Sequence, residues 1–242
     1  MRLAVLCHQC CFNPVEPQER PYPTYIEFRD DNRYEFTCEK GHKTITLLQQ
    51  QKFELLFQIG AYAILDGYYR EAVASFTSSL ERFYEFFIKA KLLEDECPPD
   101  SLDAAWKTVS SQSERQLGAF VFLYMQSFKH PPTLLHPTKV TFRNEVIHKG
   151  KIPSREEAQN YGQAVLDIIR PILAQTKLAF PKGVQLSLIT HMLGGRPNPR
   201  NELASTYNMP TIVSILSAGE GGPQKTLIEE IESLTWWRSR WN

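Results

Sequence analysis

Between Tyr69 and Ala90 the residues Tyr69, Ala72, Val73, Phe76, Leu80, Phe83, Tyr84, Phe87 and Ala90 recur at spacings of three and four. That period places them on one broad face of a helix, and so many aromatics on one face mean core. The helix should end near Glu94-Asp95, ahead of the Pro98-Pro99 stop. Upstream, Phe53, Leu56, Phe57, Gly60, Ala61 and Ile64 repeat the same period before a break at Asp66-Gly67. Glu81, Arg82 and Glu85 sit among the aromatics. They read as a solvated stripe or an intrahelical ion pair of small worth, or with Glu81 orienting a cation from another helix.

A third helical segment runs from Ser101 to Phe128, interrupted near Ser110 to Ser113. The link His130-Pro131-Pro132-Thr133-Leu134-Leu135-His136-Pro137 cannot be helical throughout, because its prolines lack donors and restrict the residues before them. A short helix from Lys139 then carries Phe142-Arg143-Asn144-Glu145-Val146-Ile147-His148 and turns at Gly150. Ser154-Arg155-Glu156-Glu157 is a capping box that opens another helix, with Ala158, Tyr161, Val165, Ile168, Ile169 and Ile172 inward and a kink or break expected at Pro171.

Arg143 and His148 put a permanent cation beside a titratable imidazole, a pairing suited to phosphate chemistry. Asn144 and His148 are four apart and share a helical face, whereas Arg143 is about 140° away and reaches round by its length. The alternative is a surface pair, or a histidine packed with its hydrogen bonds satisfied. Lys149 and Lys151 follow as further candidate phosphate contacts.

The 242 residues are 42% hydrophobic and 22% charged, with a formal net charge of zero. Such a balance gives no whole-molecule attraction to nucleic acid, so polyanion binding would need a local patch. The opening Met1 to Cys7 is too short for the apolar core of a secretory signal, and no apolar run reaches membrane-spanning length. The expectation is a cytoplasmic protein without a membrane partner.

Of the five cysteines, four fall within the first 38 residues. In a reducing compartment that favours metal ligation over disulfides. Cys7 and Cys10 form a C-x2-C pair, and Cys38-Glu39-Lys40-Gly41-His42 supplies a second knuckle, so Cys7, Cys10, Cys38 and His42 suit a tetrahedral structural zinc. Cys11 and His8 are close enough to replace a ligand, and free thiols in a small hairpin module are the alternative to any metal. Short strands are expected at Leu3 to Leu6, at Tyr25 to Phe28 joined to Tyr34 to Thr37 through Asp30-Asp31-Asn32, and at Lys43 to Leu48. This segment is similar to a zinc ribbon. The Pro-rich stretch from Asn13 to Pro23 reads as an exposed spacer or a docking edge.

The segment from Phe142 to Ala158, together with Leu65-Asp66-Gly67-Tyr68-Tyr69-Arg70-Glu71-Ala72 and its continuation to Leu80-Glu81, resembles HEPN domains, whose signature is Arg, a polar residue, three more residues, then His. The likeness spans roughly residues 50 to 180. It implies a HEPN-like helical bundle at 50–180; with the small N-terminal β zinc-ribbon module read at 1–49 and a helical C-terminal extension at 181–242 packed on the bundle, the chain is expected to be mainly α. It also implies a homodimer with the motif at the interface. The implied activity is a metal-independent endoribonuclease in toxin or antiviral-defence systems, with Arg143, Asn144 and His148 catalytic and an antitoxin or defence protein as possible partner. Members silenced by nucleotide transfer carry Tyr two residues after the His; Gly150 stands there in this chain. Other members are catalytically silent, so the alternative is a nucleic-acid-binding or assembly subunit with the zinc segment as its docking module.

The end of the chain carries no family pattern. A helix is expected over Val184 to Met192, a loop carrying Arg196 and Arg200, an apolar segment of unclear type from Pro210 to Leu216, and a final helix with Pro223 in its first turn. The run Trp236-Trp237-Arg238-Ser239-Arg240-Trp241 could stack on bases, or close a core or subunit contact.

Overall fold

A computed structural model describes residues 2–12, 23–194 and 204–239. The Pro-rich stretch 13–22, Arg196, Arg200 and residues 240–242 lie outside the described residues, as do the side chains of the Trp236 to Trp241 run. The chain is mainly helical and divides into two compact units, one of residues 1–51 with 188–210 and one of residues 52–187 with 211–242. The segment read as one C-terminal extension is thus shared between them.

In the first unit, β1 (Arg2–Val5) pairs antiparallel with β2 (Thr24–Glu27), with the short helix α1 (His8–Phe12) following β1. Strand β3 (Arg33–Thr37) pairs antiparallel with β4 (Lys43–Leu48). The expected strands are present, but Asp30-Asp31-Asn32 does not close a hairpin between β2 and β3. Asn32 sits at φ 57°, and the chain there passes from one sheet to the other. The hairpin turn is instead the Cys38 to His42 knuckle, closed by Gly41 N–H to the Cys38 carbonyl at 2.8 Å. Strand β5 (Ser205–Tyr207), not foreseen from sequence, adds parallel to β4.

The second unit is built on α3 (Tyr69–Glu94), which at 26 residues is about 39 Å long. It packs against α2 (Lys52–Leu65), α5 (Ser113–Phe128), α6 (Pro137–His148) and α7 (Arg155–Ala179), and more lightly against α4 (Pro99–Val109). The face read from the sequence is buried except at Tyr69, and Phe86 and Ile88 are buried as well, so α3 is enclosed on most sides. Phe53 stands edge-on to Phe83 at 5.4 Å, Phe57 meets Phe76 at 4.8 Å, and Phe87 meets Phe120 at 5.0 Å. A Cβ placed on Gly60 or on Gly162 would come within 2.6 Å of the Phe76 ring, so these two glycines let α2 and α7 close on that ring.

Helix α7 starts at the expected capping box: Ser154 Oγ accepts from Glu157 N–H, and the Glu157 carboxylate from Ser154 N–H. It runs unbroken through Pro171, which is exposed, so the carbonyl that the ring frees can turn to water. Helix α8 (Pro181–Gly194) opens with Gly183 N–H donating to Glu94 at 2.7 Å. Residues 210–216 form no regular element, and Ile212, Val213 and Ile215 are buried. The last helix, α9 (Leu227–Ser239), starts after Pro223, not around it. Thr226 and Glu229 exchange hydrogen bonds as a cap, and it is this box, not the proline, that begins the helix. Among the described residues no helix is long and apolar enough to cross a membrane.

Candidate functional site

Two places concentrate chemistry, one in each unit. In the first, the C-x2-C pair lies where β1 runs into α1. The α1 turn, with Cys11 N–H to the Cys7 carbonyl at 3.0 Å, brings Cys10 back beside Cys7. Cys38 and His42 flank Gly41, whose φ of 81° lies in the left-handed region that a side chain resists. The Sγ and Nδ1 atoms of Cys7, Cys10, Cys38 and His42 all lie within 4.8 Å of one another. Cys10 and Cys38 sulfurs are 3.8 Å apart, and His42 Nδ1 is 3.3 Å from Cys10 Sγ and 3.7 Å from Cys7 Sγ. A tetrahedron with metal–sulfur and metal–nitrogen bonds of ordinary zinc length has edges of about 3.8 and 3.6 Å. The four atoms therefore lie close enough to hold a metal ion. Cys11 is exposed and, like His8, falls outside this set.

The thiols do not titrate alike. Burial works to raise the Cys7 thiol, but the Thr44 hydroxyl at 3.3 Å, the Cys10 backbone N–H and His42 together bring it down to about 6. Burial pushes Cys10 up to about 12, and its contacts with Cys7 and Cys38 push the same way. Three clustered sulfurs cannot all carry charge unless a cation sits among them.

The second place is the α6 end of the helical unit. His136 caps α6 by accepting from Thr138 N–H, Pro137 occupies its first turn, and Gly150 at φ 73° takes the chain out of it. His148 and Lys149 are exposed at the last turn, while Arg143 and Asn144 are half-buried. Only Val146 on this helix is fully buried. Among the described residues no hydrogen bond joins Asn144 to His148. Lys151 is already engaged: its ammonium lies 2.9 Å from Glu157 and 3.6 Å from Glu145, over the Phe142 ring at 4.8 Å.

The inward face of α7 also carries a polar group, the Tyr161 hydroxyl. Tyr161 on α7, fully buried, is 2.8 Å from Thr77 on α3, and its ring is 5.8 Å from that of Phe142. Burial raises the Tyr161 phenol, against the Thr77 bond and the Arg143 charge, while Glu81 adds to the rise. Tyr84 is raised by burial, by Tyr161 and by Glu81. Glu81 and Arg143 therefore act on the same phenol from α3 and α6. The Arg143 Nε is buried and has no hydrogen-bond partner. A buried donor left in that state costs about 1–3 kcal/mol, which calls for an acceptor. The usable signal was chemical: a fully buried tyrosine needs a partner for its hydroxyl.

The fold and these two places define a mainly helical protein with a small strand unit that can hold a metal ion. No family model, no curated protein and no solved structure matches the chain.

Proposed function

We propose that the chain is a HEPN-type endoribonuclease of the toxin or antiviral-defence class, acting as a homodimer that joins two copies of α6. The observation that supports this best is Arg143, with a buried, unpartnered Nε, on the same short helix as an exposed His148. A guanidinium whose Nε stays inside presents its outer Nη edge to a phosphate. In a two-fold pair, one His148 takes the proton of a ribose 2′-hydroxyl as its oxygen attacks phosphorus. The other protonates the departing 5′-oxygen, and Arg143 stabilises the charge on the pentavalent transition state. The products are a 2′,3′-cyclic phosphate and a 5′-hydroxyl. Asn144 and Lys149 border this path, whereas Lys151 braces the loop after α6 through its two carboxylates. Zinc at Cys7, Cys10, Cys38 and His42 is structural in this reading and supplies no catalytic step.

Mixed RNA incubated with the protein in chelator, beside His148→Ala and Arg143→Ala, tests the reading. Wild type should cleave and leave cyclic phosphate ends, and each variant should lose about a hundredfold or more in rate. Intact RNA at every wild-type concentration would sink it. The zinc-capable unit favours a second reading, a silent RNA-binding or assembly subunit that docks through its N-terminal segment. Retention of RNA without cleavage, or loss of a partner on replacing Cys7 and Cys10, would select that one.

A further inference from the structure

The hydroxyl pair under α6 has a direction. Thr77 Oγ1 lies 2.8 Å from the Val73 carbonyl one turn back, and only the threonine can donate in that bond. Its proton is thereby committed, so in the 2.8 Å contact between the two hydroxyls it is Tyr161 that donates. What the phenol oxygen retains is acceptor capacity. Both residues are buried, at 7% and 0% exposure, so no bulk water competes for those lone pairs.

A guanidinium is the complementary partner, because arginine has five N–H donors and no acceptor. Phe142, the residue before Arg143, packs its ring 5.8 Å from that of Tyr161, so this turn of α6 lies against the phenol-bearing stretch of α7. The Nε of Arg143 is buried and still has no hydrogen-bond partner. The field of the arginine on the phenol, which opposes the effect of burial, agrees with this proximity.

We propose that Tyr161, oriented by Thr77, is a positioning residue for Arg143: its oxygen takes the buried Nε–H when an anion engages the outer, Nη edge of the guanidinium. The pair converts a flexible side chain into a fixed fork, with one edge tied inside and one edge presented. This rests on the reading of Arg143 as the phosphate-binding group. Tyr161 itself touches no substrate.

The test follows the Arg143 Nε–H by nuclear magnetic resonance, with a mixed-sequence DNA oligonucleotide as probe, since it carries phosphates and lacks the attacking hydroxyl. In wild type the oligonucleotide should slow exchange of that proton about tenfold. Tyr161→Phe and Thr77→Val should both abolish the slowing, and Thr77→Ser, which keeps the hydroxyl, should restore it. Tyr124→Phe removes another buried phenol, bonded to Gln175, and should leave the response intact. In parallel, Tyr161→Phe should lower kcat for RNA about tenfold with KM within about twofold. Should Tyr161→Phe not fold, the Thr77 pair of variants carries the test. Equal slowing in Tyr161→Phe and wild type, or no slowing in wild type, overturns the proposal. Slowing with the expected variant pattern but no RNA cleavage supports it and sinks the nuclease reading alone.

Discussion

At the scale of single residues, the Cys38–His42 knuckle shows how little chain is needed to place two side chains that can hold a metal ion. Gly41 supplies the left-handed turn, with open space around its Cα, and Cys38 and His42 close on either side. Removing one ligand should be decisive: Cys38→Ser should lower bound zinc from about one ion per chain to well under half, read by elemental analysis after dialysis. Glu157 offers a pH prediction. Its carboxylate is held below the usual carboxylate range by Ser154 N–H and by Lys151. A carboxyl depressed in the folded state stabilises above its unfolded pKa, and that contribution fades as pH falls through the folded value. Glu157→Gln keeps a capping acceptor but loses the charge. Its melting temperature should therefore lie below wild type at neutral pH and converge with it in acid; a constant gap would count against the assignment.

At the scale of elements, one tight constraint is Phe76 between α2 and α7. A Cβ on Gly162 would meet both Phe76 and Leu227 at 2.6 Å. Gly162→Ala should destabilise by about 1–3 kcal/mol through overpacking, measured by chemical denaturation. Thr226→Ala, which removes the α9 cap, should cost about 1 kcal/mol. The helices were legible because each carries its own period and punctuation: Phe76, Phe83 and Phe87 mark the α3 face, and Ser154 to Glu157 mark the start of α7. Pairing was less legible. Asp30-Asp31-Asn32 has turn chemistry, yet which strands a turn joins is decided by where their faces are covered. Ser205-Thr206-Tyr207 is too short to show alternation at all. Of the two sites, the Cys/His cluster could be read from spacing, since all four of its residues sit in short knuckle patterns. Thr77 and Tyr161 are 84 residues apart, and each fits a core position in its own helix. Only their meeting makes them a polar pair.

At the scale of the whole molecule, the proposed dimer makes a direct prediction: the particle in solution should weigh twice 27.9 kDa, and a strict monomer would leave only one His148 for a reaction that uses two. Metal removal should act locally. Hydrogen exchange in chelator should speed up in β3 and β4 while the α3 amides stay protected; equal loss in both would argue against a metal confined to the strand unit. Strand β5 adds a consequence in time. Thr46 and Ser205 are 159 positions apart, yet they are neighbours in one ladder. At ribosomal speeds of about 5–20 residues per second, the knuckle hairpin is made roughly ten to thirty seconds before its last strand exists. Throughout that interval one side of β4 is an open edge, the kind of surface on which nascent chains stick to one another. Early capture of zinc would give the newborn hairpin a fixed shape while it waits.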